Sequence, residues 1–378
     1  AVGGKTYIMT TAEFISGKEV PWCTEPYLFG RWSEFPWKQN QVPTCKIDGV
    51  VPARDIHYWG HYPAVDMEFE TDAPVSVGMR AWAPFLPGDT AASNTPAAVF
   101  EVHLRNNTDQ PQKGSLAFNF PGPDSQEALG AVFTRRTVAE DVRGISVNSL
   151  GGVGYVLGVI GKDSVRTGGG LCRSAGAWAK IASELPQPGS MAINGEQAYE
   201  DSSSSVVVDF DLASGQAKVV RFLLAWYAPT WKGAYTDNPI TGDQRFGTVW
   251  LSSPWQGNTN FFTHMYATRY GSALDVARRM AAEHDVLLKR VLAWQNVIYA
   301  DKKLPPWLRD SLINNLCLIA EDSMWAQAKP PLGDWAFPYG VFAMNESPRA
   351  CPDLGCIPCD WYGNLPIVCF FPDLALST

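Results

Sequence analysis

Apolar residues recur at every second position between residue 62 and about residue 226. The clearest alternations lie at residues 75–81, 100–104, 116–120 and 206–210. Turn-forming sequences separate them, such as Asn-Asn-Thr-Asp at 106–109 and Pro-Gly-Pro at 121–123. A period of two with turn signals is typical of antiparallel strands that bury one face. The pattern therefore predicts a large antiparallel β-sandwich.

Small residues interrupt this pattern in three places. The glycine-rich segment 151–158 lacks the Gly-Lys-Ser/Thr sequence and the ribose-binding acid of nucleotide loops, so we interpret it as a closely packed strand. The Gly-Gly-Gly sequence at 168–170 predicts a flexible turn, and the serine run at 202–205 predicts a loop. The apolar run 219–226, interrupted by Arg221, predicts a further strand.

The hydrophobic period becomes helical at about residue 271. Ser272 and Asp275 have the spacing of a capping box. Apolar residues then follow at steps of three and four on one face, and His284 among them is interpreted as a packed, hydrogen-bonded histidine rather than a ligand. The stripe consists of Met280, His284, Leu287, Val291, Trp294 and Ile298.

A second helix is predicted to start at Pro305 and Pro306. Its apolar stripe is Leu308, Leu312, Leu316 and Ile319. Residues 1–60 show no clear hydrophobic period, so long loops with short strands are predicted there. The chain is thus predicted to be mixed α and β and multidomain, with a β-sandwich at 1–270 and helices at 271–378.

Composition narrows the classes of partner. Of the 378 residues 46% are hydrophobic and 18% charged, which is typical of a folded chain with a sizeable core. The net charge of −8 argues against a nucleic-acid surface, which needs a surplus of Lys and Arg. No apolar run reaches the roughly 18 residues of a membrane span. A neutral partner fits these features best.

The cysteines are concentrated near the end of the chain. Of eight, Cys351, Cys356 and Cys359 fall within nine residues, a spacing that superficially resembles an iron–sulfur loop. Because Pro352 and Pro358 interrupt that spacing, disulfides or free thiols, a structural metal and a redox cluster all stay open. No cofactor is inferred. The cysteine count and the non-Met start favour a secreted or periplasmic protein and otherwise leave its location open.

Candidate chemistry centres on Glu346. It follows a predicted helix rich in aromatic and acidic residues, and it is expected on a loop among apolar residues. Asp360, Trp361 and Tyr362 come shortly after it. A glycosidase site needs a carboxylate that stabilises an oxocarbenium-like sugar. It also needs aromatic faces that cover the pyranose and polar groups that bind its hydroxyls.

Two groups of motifs resemble glycoside hydrolase family 116, which includes non-lysosomal glucosylceramidases and bacterial β-glucosidases. The first is Tyr-Pro-Ala-Val-Asp-Met-Glu-Phe at 62–69, Ala-Pro-Phe-Leu-Pro-Gly-Asp at 83–89 and Asn-Thr-Pro-Ala-Ala-Val-Phe at 94–100. The second is Leu-Pro-Pro-Trp-Leu-Arg-Asp at 304–310, Asn-Asn-Leu at 314–316, Gly-Val-Phe-Ala-Met-Asn-Glu at 340–346 and Phe-Phe-Pro-Asp-Leu at 370–374. The resemblance extends from about residue 60 to the end and implies a sandwich followed by the beginning of an (α/α)6 barrel.

The resemblance also implies roles for particular residues. The family is retaining, and its Gly-x-Phe-x-x-x-Glu segment makes Glu346 the nucleophile. Asp360 with Tyr362 is similar to a sugar-binding Asp-x-x-x-Tyr element, Trp361 lies between them, and Asp353 is the fallback for Asp360. The family's acid/base aspartate has no counterpart here, because only the first helices of the barrel match.

Three functions remain open from the sequence. The first is a retaining exo-β-glycosidase, or a subunit of one, with a second polypeptide completing the barrel and supplying the acid/base. The second is a non-catalytic carbohydrate-binding or scaffold protein with a degenerate barrel. The third is a metal-stabilised interaction module built on Cys351, Cys356 and Cys359.

Overall fold

The structure is a computed structural model, and it describes residues 1–11, 14–16, 41–43, 47–122, 132–149, 152–172, 175–194, 203–233, 260–321, 323–330, 332–336, 338–347, 351–354 and 357–377. Its strands are, in chain order, β1 Thr6–Ile8, β2 Phe14–Ser16, β3 Gln41–Pro43, β4 Val50–Pro52, β5 Asp55–His61, β6 Ala64–Glu70, β7 Val75–Trp82, β8 Ala97–Asn106, β9 Gln112–Phe120, β10 Val132–Ala139, β11 Val142–Ser149, β12 Gly154–Ile160, β13 Val165–Gly169, β14 Gln187–Pro188, β15 Met191–Asn194, β16 Ser204–Leu212, β17 Ala217–Tyr227, β18 Thr230–Gly233, β19 Asn260–Thr263, β20 Ser323–Ala326, β21 Val341–Ser347 and β22 Cys351–Leu354. Its α-helices are α1 Thr90–Ser93, α2 Ala273–Tyr299, α3 Pro306–Asn314, α4 Cys317–Glu321, α5 Ile357–Phe370 and α6 Pro372–Ala375.

Two antiparallel sheets form the predicted sandwich. The larger has nine strands in the order β15-β10-β11-β12-β17-β8-β7-β6-β5, and the smaller has four in the order β14-β13-β16-β9. The alternating apolar residues meet between the sheets, where Leu104, Val206, Val208 and Phe222 are buried in one cluster. The strands predicted at 75–81, 100–104, 116–120, 206–210 and 219–226 are confirmed. Of the strand predicted at 151–158, residues 154–158 lie in β12, whereas 152 and 153 precede it.

Two small-residue segments differ from the sequence prediction. Gly168 and Gly169 belong to strand β13, and Ser204 and Ser205 belong to β16. The reason is Arg135, a fully buried arginine whose guanidinium donates to the Ser203 carbonyl. A Cβ on Gly169 would lie 2.5 Å from Nη2 of Arg135, so the arginine requires small neighbours. Gly169 and the Ser203 carbonyl therefore lie beside a buried cation, within and next to strands where the sequence predicts a turn and a loop.

Helix α2 lies on the outer face of the nine-stranded sheet. Ser272 caps it by accepting a hydrogen bond from the Asp275 N–H at 3.1 Å, as the capping-box spacing predicts. Met280, Leu287 and Val291 of the predicted stripe are buried against the sheet. His284 is half-buried and its Nδ1 lies 2.9 Å from the Ala281 carbonyl, so its interpretation as a packed histidine is confirmed.

The region after α2 differs from the continuous helix that the stripe predicts. Helix α3 ends at Asn314 and the five-residue α4 starts at Cys317, so the proposed stripe is split and Leu312 is exposed. Instead of a helix before Gly340, the chain forms strand β20, which joins β21 and β22 in a three-stranded sheet. The domain boundary at 270 and the barrel remain predictions.

The first sixty residues are described only in part. Strands β1 to β5 lie there, which agrees with the short strands expected. Trp22, Trp32 and Trp37 lie outside the described residues. Of the described helices none combines the length and the apolar content that crossing a bilayer requires.

Candidate functional site

Glu346 lies in strand β21, not on the loop that its sequence context predicts. The strand forms because Val341, Phe342 and Ala343 pair with β20, with Phe342 opposite Trp325. Gly340 starts it with a φ of +71°, and its N–H donates to the Ala336 carbonyl at 2.7 Å. The backbone that leads to Glu346 is thus fixed on one side by β20.

On its other side β21 pairs with β22, and the register of this pairing shifts at Glu346. Asn345 pairs with Leu354 and Ser347 pairs with Cys351, so the register shifts by one residue between the two pairs. Pro352 and Asp353 therefore both lie opposite the single position 346, which is the arrangement of a β-bulge. Bulges often lie beside active sites because they redirect the neighbouring chain. The side chains of Glu346 and Asp353 lie outside the described part of the structure.

A buried aromatic cluster supports the start of β21. Phe342 is 4% exposed and shares the cluster with Phe85 and Phe371, whose rings meet edge to face at a centroid distance of 5.2 Å. The Phe342 N–H also donates to the Ser377 carbonyl at 2.8 Å. The Phe-Phe-Pro-Asp-Leu motif therefore packs against the strand that carries Glu346.

The 83–89 motif joins the sandwich to this cluster. Trp294 of α2 donates its indole N–H to the Phe85 carbonyl at 3.0 Å, and the Gly88 N–H donates to the Phe370 carbonyl at 2.6 Å. Asp89 accepts from the Ala92 N–H and from Arg290. Burial raises the pKa of Asp89, but these two partners outweigh burial and hold the pKa below its usual value.

The 62–69 motif makes a second junction at the turn between β5 and β6. Gln295 of α2 donates to the carbonyls of His61 and Tyr62 at 2.5 and 2.9 Å, and Asn314 of α3 accepts from the Tyr62 N–H at 2.9 Å. His61 in turn lies 3.2 Å from Asp66. The motifs that resemble the glycosidase family therefore hold helices and sheet together.

Asp360, Trp361 and Tyr362 lie in the first half of helix α5. Their side chains, like those of Cys351 and Cys359, are outside the described part of the structure, and Cys356 is outside it altogether. Consecutive helical residues are separated by about 100°, so three in a row do not share one face. At most two of the three can therefore contact a single sugar.

Two polar residues that the sequence did not point to lie at the start of the β20–β21 pair. Gln327 is 5% exposed and donates to the His264 carbonyl at 2.8 Å. The His264 ring stacks on Tyr266 at a centroid distance of 5.1 Å, and burial lowers the pKa of His264 to about 4. No motif marks either residue, because their positions depend on pairing between distant segments.

The described cysteines do not form a metal site. Within the described residues no group of three or more His, Cys, Asp or Glu side chains is placed to hold a metal. Cys172 accepts a hydrogen bond from the Asn119 side-chain amide at 3.3 Å, and Cys369 is exposed. A cavity of about 490 Å³ opens between the sheets beside β1, but no charged side chain lines it. Its walls combine apolar side chains such as Leu104 and Phe118 with polar ones such as Ser115 and Asn119.

A model of the family described as β-glucosidase 2, glycosyl-hydrolase family 116 N-term, matches residues 30–287. The chain belongs to glycoside hydrolase family 116. The match begins earlier than the expected residue 60 and ends within α2. It therefore covers the sandwich of this family 116 chain and does not reach Glu346, Asp360, Trp361 or Tyr362.

Two solved structures resemble this family 116 chain weakly. A putative kojibiose phosphorylase from the human microbiome has a TM-score of 0.28 and 10% identity, over 70% of this chain and 24% of its own. The α-galactosidase from Lactobacillus brevis has a TM-score of 0.22 and 9% identity, over 47% of this chain and 27% of its own. The chain thus spans about a quarter of the length of either structure.

Proposed function

We propose that this chain is part of a retaining exo-β-glycosidase with β-glucosidase-like specificity. Membership of glycoside hydrolase family 116 is the observation that carries the proposal. Supporting it, Glu346 occupies a β-bulge on a strand held by Phe342 and by β20, and such support keeps a reacting group in place.

Glu346 acts as the nucleophile in this proposal. Its carboxylate attacks the anomeric carbon, the aglycone oxygen leaves with a proton from an acid, and water then releases the sugar from the glycosyl-enzyme ester. Asp360 binds sugar hydroxyls and Trp361 covers the pyranose face from the neighbouring helix, whereas Tyr362, about 200° from Asp360 around that helix, does not act together with it. Asp353, opposite Glu346 across the bulge, is the second candidate for hydroxyl binding.

The acid/base aspartate comes from a further polypeptide segment, whether continuous with this chain or separate. Exposed large apolar side chains support the existence of a covering segment, because eight of them lie between residues 307 and 376. They are Trp307, Leu312, Leu318, Trp335, Tyr339, Leu365, Val368 and Leu376. Helices of an (α/α)6 barrel would cover such a surface.

Hydrolysis of aryl β-glucosides by natively purified protein tests the assignment of Glu346. We expect Glu346→Gln to lower kcat/KM by roughly 10³-fold or more, because the variant loses a group that acts in the transition state. Glu184→Gln is the matched control, since Glu184 is 62% exposed and pairs only with Lys180 at the surface.

Azide distinguishes a nucleophile from a merely structural carboxylate. In Glu346→Gly, azide attacks the anomeric carbon from the vacated side, the aryl oxide leaves, and an α-glycosyl azide forms. Recovery of turnover with this product supports the assignment, whereas a β-glycosyl azide contradicts it. Full activity of Glu346→Gln would reject Glu346 as the nucleophile, whereas absence of hydrolysis by the unsubstituted protein would favour the non-catalytic carbohydrate-binding alternative.

A further inference from the structure

Helix α2 covers only part of the outer face of the nine-stranded sheet. Beneath the helix this face presents buried apolar residues, including Trp82, Val99 and Leu223. Two residues further along the same strands the same face becomes polar, with Arg80 half-buried and Glu101 6% exposed. Beyond them His57, Glu68 and His103 are exposed, and we call this polar part of the sheet the open face.

A row of paired charges crosses this open face. It consists of direct cross-strand neighbours, one from each of five adjacent strands: Trp59 on β5, Asp66 on β6, Arg80 on β7, Glu101 on β8 and Arg221 on β17. Arg80 forms two hydrogen bonds of 2.8 Å to the Asp66 carboxylate, and Arg221 lies 2.7 Å from Glu101. Two acids and two bases make the row neutral, and the ion pairs fix the directions of its donors and acceptors.

The adjacent row of cross-strand neighbours, two residues further along each strand, contains a shallow depression. His57, Glu68, Gly78 and His103 are cross-strand neighbours, and His57, Glu68 and His103 are exposed. A Cβ built on Gly78 would meet only the Met67 carbonyl, at 3.4 Å. Gly78 therefore leaves a shallow depression between Glu68 and His103, with the charged row along one side.

Trp59 lies at the end of the charged row. It is 52% exposed, and its ring centroid is 6.1 Å from that of His57. An exposed indole beside fixed polar groups can cover the apolar C–H face of a pyranose while those groups bind its hydroxyls.

We propose that the open face formed by Trp59, Asp66, Gly78, Arg80 and His103 binds a neutral oligosaccharide. An anionic ligand is disfavoured because the acids and bases of the row neutralise one another and the exposed carboxylate of Glu68 lies beside them. A large apolar partner is disfavoured because the face offers one aromatic ring amid polar groups. The choice of a glycan as ligand rests on the proposed function, whereas the site itself lies on strands other than the one that carries Glu346.

Affinity electrophoresis in gels that contain soluble neutral polysaccharides tests this site. The probes are a mixed-linkage β-glucan, a xyloglucan and a glucomannan. We expect at least one to retard the natively purified protein, and Trp59→Ala to weaken that retardation at least fivefold. His103→Ala, a second exposed position, is expected to weaken it by a smaller factor.

Tyr58→Ala is the matched control, because Tyr58 is the adjacent residue, is 66% exposed and lies on the opposite face of β5. Equal losses in Tyr58→Ala and Trp59→Ala would overturn the proposal, and so would the absence of retardation by every polysaccharide. Self-association that Trp59→Ala abolishes in sedimentation without polysaccharide would identify a protein interface instead. Glu346→Gln should retain the retardation, so failure of the catalytic assignment is distinguishable from failure of this site.

Discussion

Gly340 occupies a position that tolerates no side chain. Its φ of +71° is in the left-handed region, and a Cβ there would approach the Ala326 carbonyl oxygen to 1.9 Å and the Met265 methyl carbon to 2.6 Å. The close approach arises because β20 and β21 pair immediately after this residue. The conformation of one glycine therefore determines where the strand of Glu346 begins.

We expect Gly340→Ala to lower the free energy of unfolding by about 3 kcal/mol or more, since steric overlap adds to the cost of a left-handed alanine. Gly88→Ala is the control, because Gly88 has a φ of +80° with no atom within 4 Å and should cost only about 1–2 kcal/mol. Urea denaturation measures both. Equal losses of unfolding free energy in the two variants would mean that steric overlap around Gly340 does not contribute to the destabilisation.

His264 makes stability depend on pH. Its folded-state pKa of about 4 lies below the unfolded value of 6.5, so between these values the unfolded chain binds the proton more readily. The stabilising contribution is complete above pH 6.5 and is lost as the pH falls to 4. Allowing for partial exposure, its size is on the order of 2 kcal/mol.

The expected result is that His264→Phe flattens the fall in urea midpoint between pH 6.5 and 4. His57→Gln serves as the control, because the hydrogen bond to Glu70 raises the pKa of His57 and its contribution is lost with rising rather than falling pH. An unchanged pH profile in His264→Phe would show that other groups produce the acid dependence.

Helix α2 connects to the sheet at both of its ends. Arg278 near the start donates to Glu140 beyond β10, and Gln295 near the end binds the carbonyls of His61 and Tyr62. Gln295 is 2% exposed and the bonds it donates to these carbonyls are part-buried, so its loss leaves the two acceptors poorly satisfied. The polar contacts fix the position of the helix, while its apolar stripe supplies the burial.

We expect Gln295→Leu to destabilise the protein by roughly 2–3 kcal/mol through two unsatisfied carbonyls. The neighbouring exposed Asn296→Leu should change stability by less than about 0.5 kcal/mol. Guanidinium denaturation followed by circular dichroism compares the two. If Asn296→Leu costs as much as Gln295→Leu, helix propensity rather than the junction determines the effect.

Strands and helices with a strong hydrophobic period were predictable from the sequence. Features that depend on contacts with residues distant in the chain were not. The strands around Leu104 and Phe222 and the helix capped by Ser272 carry their own pattern, and each is confirmed. Gly169 lies in a strand beside the buried Arg135, and the Ser204 hydroxyl in β16 lies 2.7 Å from that of Tyr155, contacts that local composition does not reveal. The bulge at Glu346 likewise depends on its pairing with β22.

At the scale of the molecule, exposed apolar side chains are concentrated in the C-terminal fifth of the chain. The sandwich buries its apolar side chains between its two sheets, whereas Leu365, Val368 and Leu376 are 64%, 54% and 71% exposed. Such a distribution is typical of a surface that another segment covers.

We therefore expect the isolated chain to self-associate, and a triple variant with Lys at 365, 368 and 376 to do so at least several-fold less. Lys at positions 132, 286 and 297, where exposed valines lie elsewhere, should reduce association little. Sedimentation velocity over a concentration series distinguishes the two variants. Equal reductions would point to general solubility rather than to one surface.

The order of strands in the large sheet has a consequence for synthesis. Strand β17 lies between β8 and β12, although it is made after both. As the chain leaves the ribosome, the inner edges of β8 and β12 therefore have no partner until residue 227 has emerged. Unpaired strand edges can bind other chains, so the nascent protein is most vulnerable to misassembly just before its last central strand appears.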